Sequence, residues 1–436
     1  MSGMSVAVIG GGPAGLAAAW RLRVAGRAVR VYEARSAVGG RLRTERLGAA
    51  SADSIVQLLA GDYAATRGLV EELGLGGRLV RVPGRDAIWR GGRAHVLRYG
   101  SVASLATSGG LPTRLKLRLG LRYVPFLERH AGVLDLNDPG RAGQELDGES
   151  IAEWGLRELG EDFVELLAYP LLAAYYGVTP EETSAAFFHA LAREGMGVEV
   201  LGVWGGVGGL AADLGRALEA RGVAIRTGVE VAALERSSGA VSVRTSDGDT
   251  LHAAAVVAVP AAEAARLLPD AALPRSIRTR SSATLVLATE GHTRTGWFGL
   301  SIPRTEPGGD TLSAVCVQEE KETGLGGVDR GAVVVYPAPD RAARWHEAEP
   351  REVLEDARPA LERVVPGMVA RMAEARVVRV RDFVVPEPGH FGRVRRYGDE
   401  LPPELALAGD YLVAPTVEGA VRSGIAAADR LTGGPA

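Results

Sequence analysis

The sequence predicts an α/β fold: a Rossmann-type domain gathered from three separated stretches, with an α+β domain threaded between them. Three observations predict it. The N-terminal stretch reads strand, glycine turn, helix, strand, acid. The C-terminal stretch reads short apolar strand, Gly-Asp, then a glycine-containing helix. A third glycine turn, Gly205 to Gly209, opens another helix–strand unit in the middle. The chain has 436 residues, 24% charged and 46% hydrophobic. That is ordinary globular composition with ample core, long enough for one bilobal unit or two or three domains.

Each element of the N-terminal unit has a physical reason. Ser5 to Ile9 is an apolar run, as a buried parallel strand requires. Gly10-Gly11-Gly12-Pro13-Ala14-Gly15 fits G-x-G-x-x-G. Leu16 to Ala25 is helix-like, Gly26 closes it as a C-cap would, and Ala28 to Tyr32 is a second strand ending on Glu33. Gly10 permits the tight turn, Gly12 lets a pyrophosphate approach the backbone, and Gly15 lets helix and strand pack closely. The helix N-terminus offers amides and a positive dipole end to phosphates. Glu33, eighteen residues past Gly15, can accept hydrogen bonds from both hydroxyls of an adenosine ribose.

This unit leaves FAD and NAD undistinguished. Gly39-Gly40-Arg41 follows it, a second glycine pair that would let the chain pass close to a flavin dinucleotide with a guanidinium near its phosphates. Here the sequence resembles the superfamily of flavin amine oxidases, protoporphyrinogen oxidases and phytoene-type desaturases. The resemblance implies a glutathione reductase-like domain holding FAD through Gly10, Gly12, Ala14, Gly15, Glu33, Ala34, Gly40 and Arg41. It extends to the C-terminus. Leu405 to Ala408 is strand-like and meets Gly409-Asp410; Thr416 to Gly424 then runs into the Ala-rich helix Ile425 to Leu431. In the resembling families this block closes over the FAD, which implies contacts from Gly409, Asp410, Val417 and Ala420. The helix N-terminus would point at the flavin edge that becomes anionic on reduction. In the middle, the helix Ala211 to Ala220 and strand Val223 to Arg226 precede Val229-Glu230-Val231, and the resemblance implies that the backbone of Val231 touches adenine. Ala254 to Val259 reads as a buried strand. The turns Ser238-Gly239 and Asp247-Gly248-Asp249 bracket the short strand Val241 to Thr245, which predicts an antiparallel meander.

The expected domains are therefore discontinuous: 1–80, 196–280 and 390–436 for FAD, 81–195 and 281–389 for substrate. The first insert reads as mostly helical, with Ala65 to Leu73 leading in, a turn at Asn137 to Gly140, and helical spacing over Ile151 to Tyr176. The second opens on the strand Ala283 to Ala288 and includes Ala332 to Tyr336. Leu166 to Gly177, followed by Thr179-Pro180-Glu181-Glu182-Thr183-Ser184, resembles protoporphyrinogen oxidases, which makes Tyr169, Tyr175 and Tyr176 candidates for a substrate wall. Tyrosines at a helix–core boundary would look the same. Leu111 to Leu127 interleaves Arg114, Lys116, Arg118 and Arg122 with leucines. Alternation argues strand and residue propensity argues helix. Such a segment is either a solvated basic face or a surface for an anionic membrane. His390, in Val385-Pro386-Glu387-Pro388-Gly389-His390, faces flavin or substrate, or is structural.

Fifty basic against fifty-three acidic residues argue against nucleic acid as the main partner. The single cysteine, Cys316, excludes an internal disulfide and fits a reducing compartment. No apolar run is long enough to span a membrane and no leader pattern opens the chain, so the expected address is cytoplasmic, with peripheral membrane contact open. The resemblance implies hydride transfer to flavin N5 from an apolar or cyclic substrate such as a porphyrinogen, polyene or secondary metabolite, with O2 as acceptor. A dedicated base is optional in such chemistry, and none is assigned, nor any metal ligand. Cys316 lies 93 residues before Gly409, too far for the covalent flavin link of some amine oxidases, so non-covalent FAD is expected. The strand Ser281 to Val286 lacks the lysine that amine oxidases usually carry. Amine oxidation remains an alternative, as do a non-redox flavin isomerase and a protein with structural FAD. Asp53-Ser54-Ile55 departs from the family's Asp-x-Gly and places the Ile55 side chain where backbone usually passes the flavin. Oligomeric state is left open.

Overall fold

A computed structural model describes residues 4–237, 239–397 and 400–433. Five short parallel strands form one sheet in the order Ala224–Thr227, Val29–Glu33, Val6–Ile9, Ala254–Val257, Leu405–Leu407. All three predicted stretches thus contribute to one layer. Val6 pairs with Val29 on one side and Ala254 on the other, and Ala255 pairs with Leu405. The central strand Val6–Ile9 is buried at every position, as an apolar run without alternation demands. Helices Pro13–Val24 and Val207–Glu219 cover this sheet through Leu16, Leu22, Leu210 and Leu214. The predicted meander is present as Val231–Ser237, Ala240–Thr245 and Gly248–His252; its turn residue Ser238 lies outside the described residues.

A second, seven-stranded sheet runs in the order Met372–Val384, Thr279–Glu290, Arg330–Pro337, Leu312–Val317, Gly299–Ser301, Arg85–Arg90, Arg93–Arg98. The first insert is mostly helical from Val102 on, as its sequence predicts, and the hairpin Arg85–Arg98 before it is an addition that the sequence did not announce. Its strand Arg85–Arg90 pairs in parallel with Gly299–Ser301, so the two inserts share one sheet. Such a pairing joins residues more than two hundred positions apart and leaves no local signal.

The helical region follows. The stretch Ile151 to Tyr176, helical as its spacing predicts, is interrupted at Gly160, where φ is +84°. The chain then re-enters a helix that widens into a π turn, Val164–Ala168, directly before Tyr169-Pro170. Leu119–Tyr123 widens in the same way before Val124-Pro125. Proline has no amide to donate and its ring crowds the preceding turn; widening that turn relieves both problems. Leu111 to Leu127 is therefore helical from Thr113 onward, not a strand. Its cations are tied to the chain: Arg114 to Asp162, Arg118 and Arg122 to the carbonyls of Leu159 and Glu158, Lys116 to that of Ser108. Leu117 and Leu121 remain exposed. Among the described residues no helix is long and apolar enough to cross a membrane.

Candidate functional site

Two helix N-termini converge on one cleft. The first helix starts at Pro13 with Gly12 as N-cap, no side chain caps its orphan amides, and no acid sits in its first turn. Gly10 has φ +104°, and a Cβ there would lie 2.5 Å from the Ala258 carbonyl oxygen. At Gly15 a Cβ would lie 1.9 Å from the Gly10 carbonyl oxygen, so close packing forbids any side chain. Gly12 is different. A Cβ there would meet only the Gly40 Cα, at 3.9 Å. Packing does not demand this glycine; its backbone is simply left open in front of free amides, which fits an approaching phosphate. Gly40 comes to Gly12 with φ +56°.

The last helix, Val417–Thr432, approaches from the other end of the chain. Thr416 caps it, its hydroxyl accepting from the Gly419 amide at 2.9 Å. Gly424 packs on the first helix, where a Cβ would fall 2.1 Å from the Ala14 carbonyl oxygen. Arg41 donates two hydrogen bonds to Asp410, at 2.7 and 2.9 Å, clamping the two chain ends together. Burial works against the Arg41 charge, and Asp410 outweighs it, raising the guanidinium pKa. The Gly409 amide donates to Ser423. Glu33 is buried, and its oxygens accept from the amides of Gly11 (2.7 Å) and Arg35 (2.9 Å). Each oxygen keeps a lone pair for a ribose hydroxyl. Ala34 is exposed. Val231 starts its strand with its carbonyl accepting from Arg266.

A cavity of about 240 Å³ extends from Pro13, Arg41, Asp410, Val417 and Ala420 toward Ile55, Tyr175 and Tyr176. Tyr175 is 43% exposed because it lines this space. Neither Tyr169 nor His390 lines this cavity; both take the structural alternative that the sequence left open, not the substrate-facing one. Tyr169 is buried beneath the Arg304 guanidinium, 4.8 Å from its ring centroid. His390 is fully buried, one ring nitrogen 3.0 Å from the Tyr411 carbonyl oxygen. Burial pushes its pKa from 6.5 down to about 4. The folded value lies below the unfolded one, so on acidification the unfolded chain takes up the proton first. This contribution to stability is intact above pH 6.5 and lost as pH falls toward 4. His390→Gln should flatten the loss of stability over that window in denaturant titrations at stepped pH; an unchanged slope would refute this.

Three site features were not read from the sequence. Lys321 is fully buried, donating to Asp53 at 2.7 Å and to both the carbonyl and the side-chain oxygen of Gln57 at 3.2 Å. Asp53 also accepts from the Thr44 hydroxyl and the Val207 amide. Gln57 in turn donates to the Tyr336 hydroxyl, on the cavity wall. One signal was available: Lys116 and Lys321 are the only lysines among fifty basic residues. Glu418, buried, accepts from the amides of Ala65 and Thr66 and so caps the helix Ala64–Glu72. Cys316, expected in the core, is buried and also lines the cavity; burial raises its thiol pKa. On the strand that lacks the family lysine, Ser282 and Thr284 line the cavity, and the Thr284 hydroxyl donates to the Ser54 carbonyl. No group of residues that could hold a metal ion occurs among the described residues.

The model of the family of flavin containing amine oxidoreductases matches residues 13–432. A Mycobacterium tuberculosis protein described as a flavin-containing monoamine oxidase is 28% identical over 281 residues, 62% of this chain and 60% of that relative. Protoporphyrinogen oxidase 2 of Arabidopsis thaliana is 29% identical over 187 residues, 42% of this chain and 35% of its own length. The chain thus spans about 60% of the first relative's length and about a third of the second's. A crystal structure from Exiguobacterium, described as a protoporphyrinogen oxidase, superposes with TM-score 0.77 at 21% identity, covering 99% of both chains. At that identity the likeness shows the fold.

Proposed function

The chain belongs to the flavin-containing amine oxidoreductases, and from that premise we propose that it binds one FAD non-covalently and dehydrogenates an apolar small molecule, with O2 as acceptor. The observation that carries the reading is the cleft itself. Two helix N-termini, brought together by Gly424 against Ala14 and by Arg41 with Asp410, open onto a cavity walled by Ile55, Val56, Leu300 and tyrosines.

In this reading residues 1–80, 196–280 and 390–436 form the Rossmann-type cofactor domain, and 81–195 with 281–389 form the substrate domain. The open backbone at Gly12 and the uncapped first turn receive the pyrophosphate. Glu33 receives the ribose. The N-terminus of Val417–Thr432 stabilises negative charge at the far end of the cleft. Bound FAD would supply the two-electron acceptor for a substrate C–H bond. The apolar wall excludes water and Tyr336, fixed by Gln57, orients the substrate. The buried Cys316 thiol stays protonated and is a poor nucleophile, which supports non-covalent attachment. Oxidation of an amine is the second reading, favoured by the acidic Asp86, to which the hydroxyl of the cavity-lining Tyr175 donates.

Purified protein should show a visible flavin spectrum. Acid denaturation should release FAD to the supernatant, and a substrate should bleach the flavin anaerobically, with peroxide formed on readmitting air. Flavin remaining with the precipitated protein would overturn non-covalent attachment. Absence of flavin would overturn the whole reading.

A further inference from the structure

Three successive carbonyls of the segment that departs from the family pattern, Asp53, Ser54 and Ile55, are each held by a side chain of the cavity wall. The Gln57 side-chain amide donates to Asp53, the Thr284 hydroxyl to Ser54 at 2.9 Å, and the Tyr336 hydroxyl to Ile55 at 3.2 Å. Thr284 and Tyr336 are neighbours on adjacent strands, each one residue beyond the Leu285–Val335 pair. Among the described residues no other donor reaches the Ile55 carbonyl.

The direction of each bond is forced. The Lys321 ammonium has only hydrogens to give, so the oxygen of the Gln57 side chain must face it, at 3.2 Å. The Asp53 backbone amide is likewise a donor only. It fixes the Gln318 side-chain oxygen at 3.1 Å, which turns the Gln318 nitrogen onto the same Gln57 oxygen at 3.0 Å. Both amide hydrogens of Gln57 are thereby sent the other way, one to the Asp53 carbonyl and one to the Tyr336 hydroxyl oxygen at 2.6 Å. Burial holds the Tyr336 pKa well above the usual phenol range, so the hydroxyl keeps its single hydrogen. That hydrogen goes to Ile55. Turning it into the cavity would strip a carbonyl of its donor, which costs more than one neutral hydrogen bond returns. What Tyr336 has left for the cavity is acceptor capacity alone.

The rest of the wall is spent in the same way. Tyr175 gives its hydrogen to Asp86. That carboxylate, with no ion-pair partner among the described residues, stands at the mouth of a second, chiefly aliphatic cavity of about 330 Å³, while the neighbouring Arg85 pairs with Glu320 and Glu322. Of the cations lining the first cavity, Arg41 is held by Asp410 and Arg280 by Glu182. Behind Tyr336 the charges of Lys321 and Asp53 cancel, so nothing there calls for a charged ligand.

We propose that the Tyr336 oxygen is the polar anchor of the cavity and accepts a hydrogen bond from the substrate, so that the substrate class is a neutral apolar alcohol or phenol. A ketone, ether or bare hydrocarbon of the same shape leaves that acceptor unmatched, and a desolvated site built to pair a hydroxyl discriminates strongly against analogues without one. The anchor rests on the reading of this cavity as the substrate site, and it needs no particular carbon to be oxidised.

Calorimetric titration of the holoenzyme, kept anaerobic, with cyclohexanol and cyclohexanone, and with the larger pair cyclooctanol and cyclooctanone, tests this. Within each pair the heavy atoms are the same and only the alcohol can donate. The alcohol should bind about 5- to 10-fold tighter. Tyr336→Phe should bring the members of each pair within about twofold of one another, chiefly by weakening the alcohol. A ketone that binds the wild type as tightly as its alcohol, a comparison that needs no variant, would overturn the proposal. So would an undiminished preference for the alcohol in Tyr336→Phe. Preference for the alcohols in protein whose flavin no compound bleaches would leave the anchor standing and count against dehydrogenation. Bleaching by hydrocarbons that carry no donor, at a rate indifferent to Tyr336→Phe, would do the reverse.

Discussion

Lys321→Met is expected to lower the unfolding free energy by about 3–5 kcal/mol, the usual cost of removing one partner of a buried ion pair. Both side chains of the Lys321–Asp53 pair are 1% exposed. Methionine matches much of the stem but leaves the Asp53 carboxylate desolvated against the Thr44 hydroxyl and the Val207 amide alone. It also removes one donor to the carbonyl and side-chain oxygens of Gln57, leaving the Gln318 amide on the side-chain oxygen. The damage should therefore reach the cavity through Gln57 and Tyr336, and substrate affinity should fall along with stability. Denaturant unfolding of the wild type, Lys321→Met and the double variant Asp53→Asn/Lys321→Met measures it. The double variant should be less impaired than the sum of the single changes, because neutralising Asp53 removes the stranded charge. A Lys321→Met loss below about 1 kcal/mol would mean that the pair carries no such weight.

Gly424→Val should strip the protein of cofactor. In the last helix a Cβ at Gly424 would sit 2.1 Å from the Ala14 carbonyl oxygen and 3.1 Å from the Ala18 amide nitrogen, backbone atoms that cannot rotate away. The helices must separate, and both N-termini leave the cleft together. Overpacking of this kind costs about 1–3 kcal/mol or more. The larger effect is on flavin content, expected to drop at least about tenfold, since a displacement of an ångström spoils preorganised charge stabilisation. Gly68→Ala is the control. Gly68 lies inside a helix with nothing within 4 Å of an added Cβ, and the change should stabilise by about 0.5–1 kcal/mol. Retention of normal flavin content by Gly424→Val would show that helix contact does not set the cleft.

The tyrosines show where sequence reasoning stops. Tyr169 and Tyr176 are seven residues apart and share one helix face, about 10 Å apart along the axis. Periodicity cannot say which end of that face meets a cavity. The structure gives Tyr176 to the cavity and Tyr169 to Arg304. Asp86 offered less still. In Arg85-Asp86-Ala87-Ile88 it is an unremarkable strand acid, and only the long-range pairing with Gly299 brings it beside Tyr175.

The sequence by itself determined the strand–turn–helix unit from Val6 to Glu33, its echo from Leu405 to Thr432, and hence the α/β class. These are legible because they are local: a glycine turn, an apolar run and a capped helix are set by residues within one or two turns of each other. The tertiary structure alone decided that Arg41 clamps Asp410, that Lys321 neutralises Asp53, and that Asp86 stands without a cation at the mouth of a second chamber. Those are facts about which distant side chains share a desolvated space, and low dielectric gives them their energy only once the fold has excluded water.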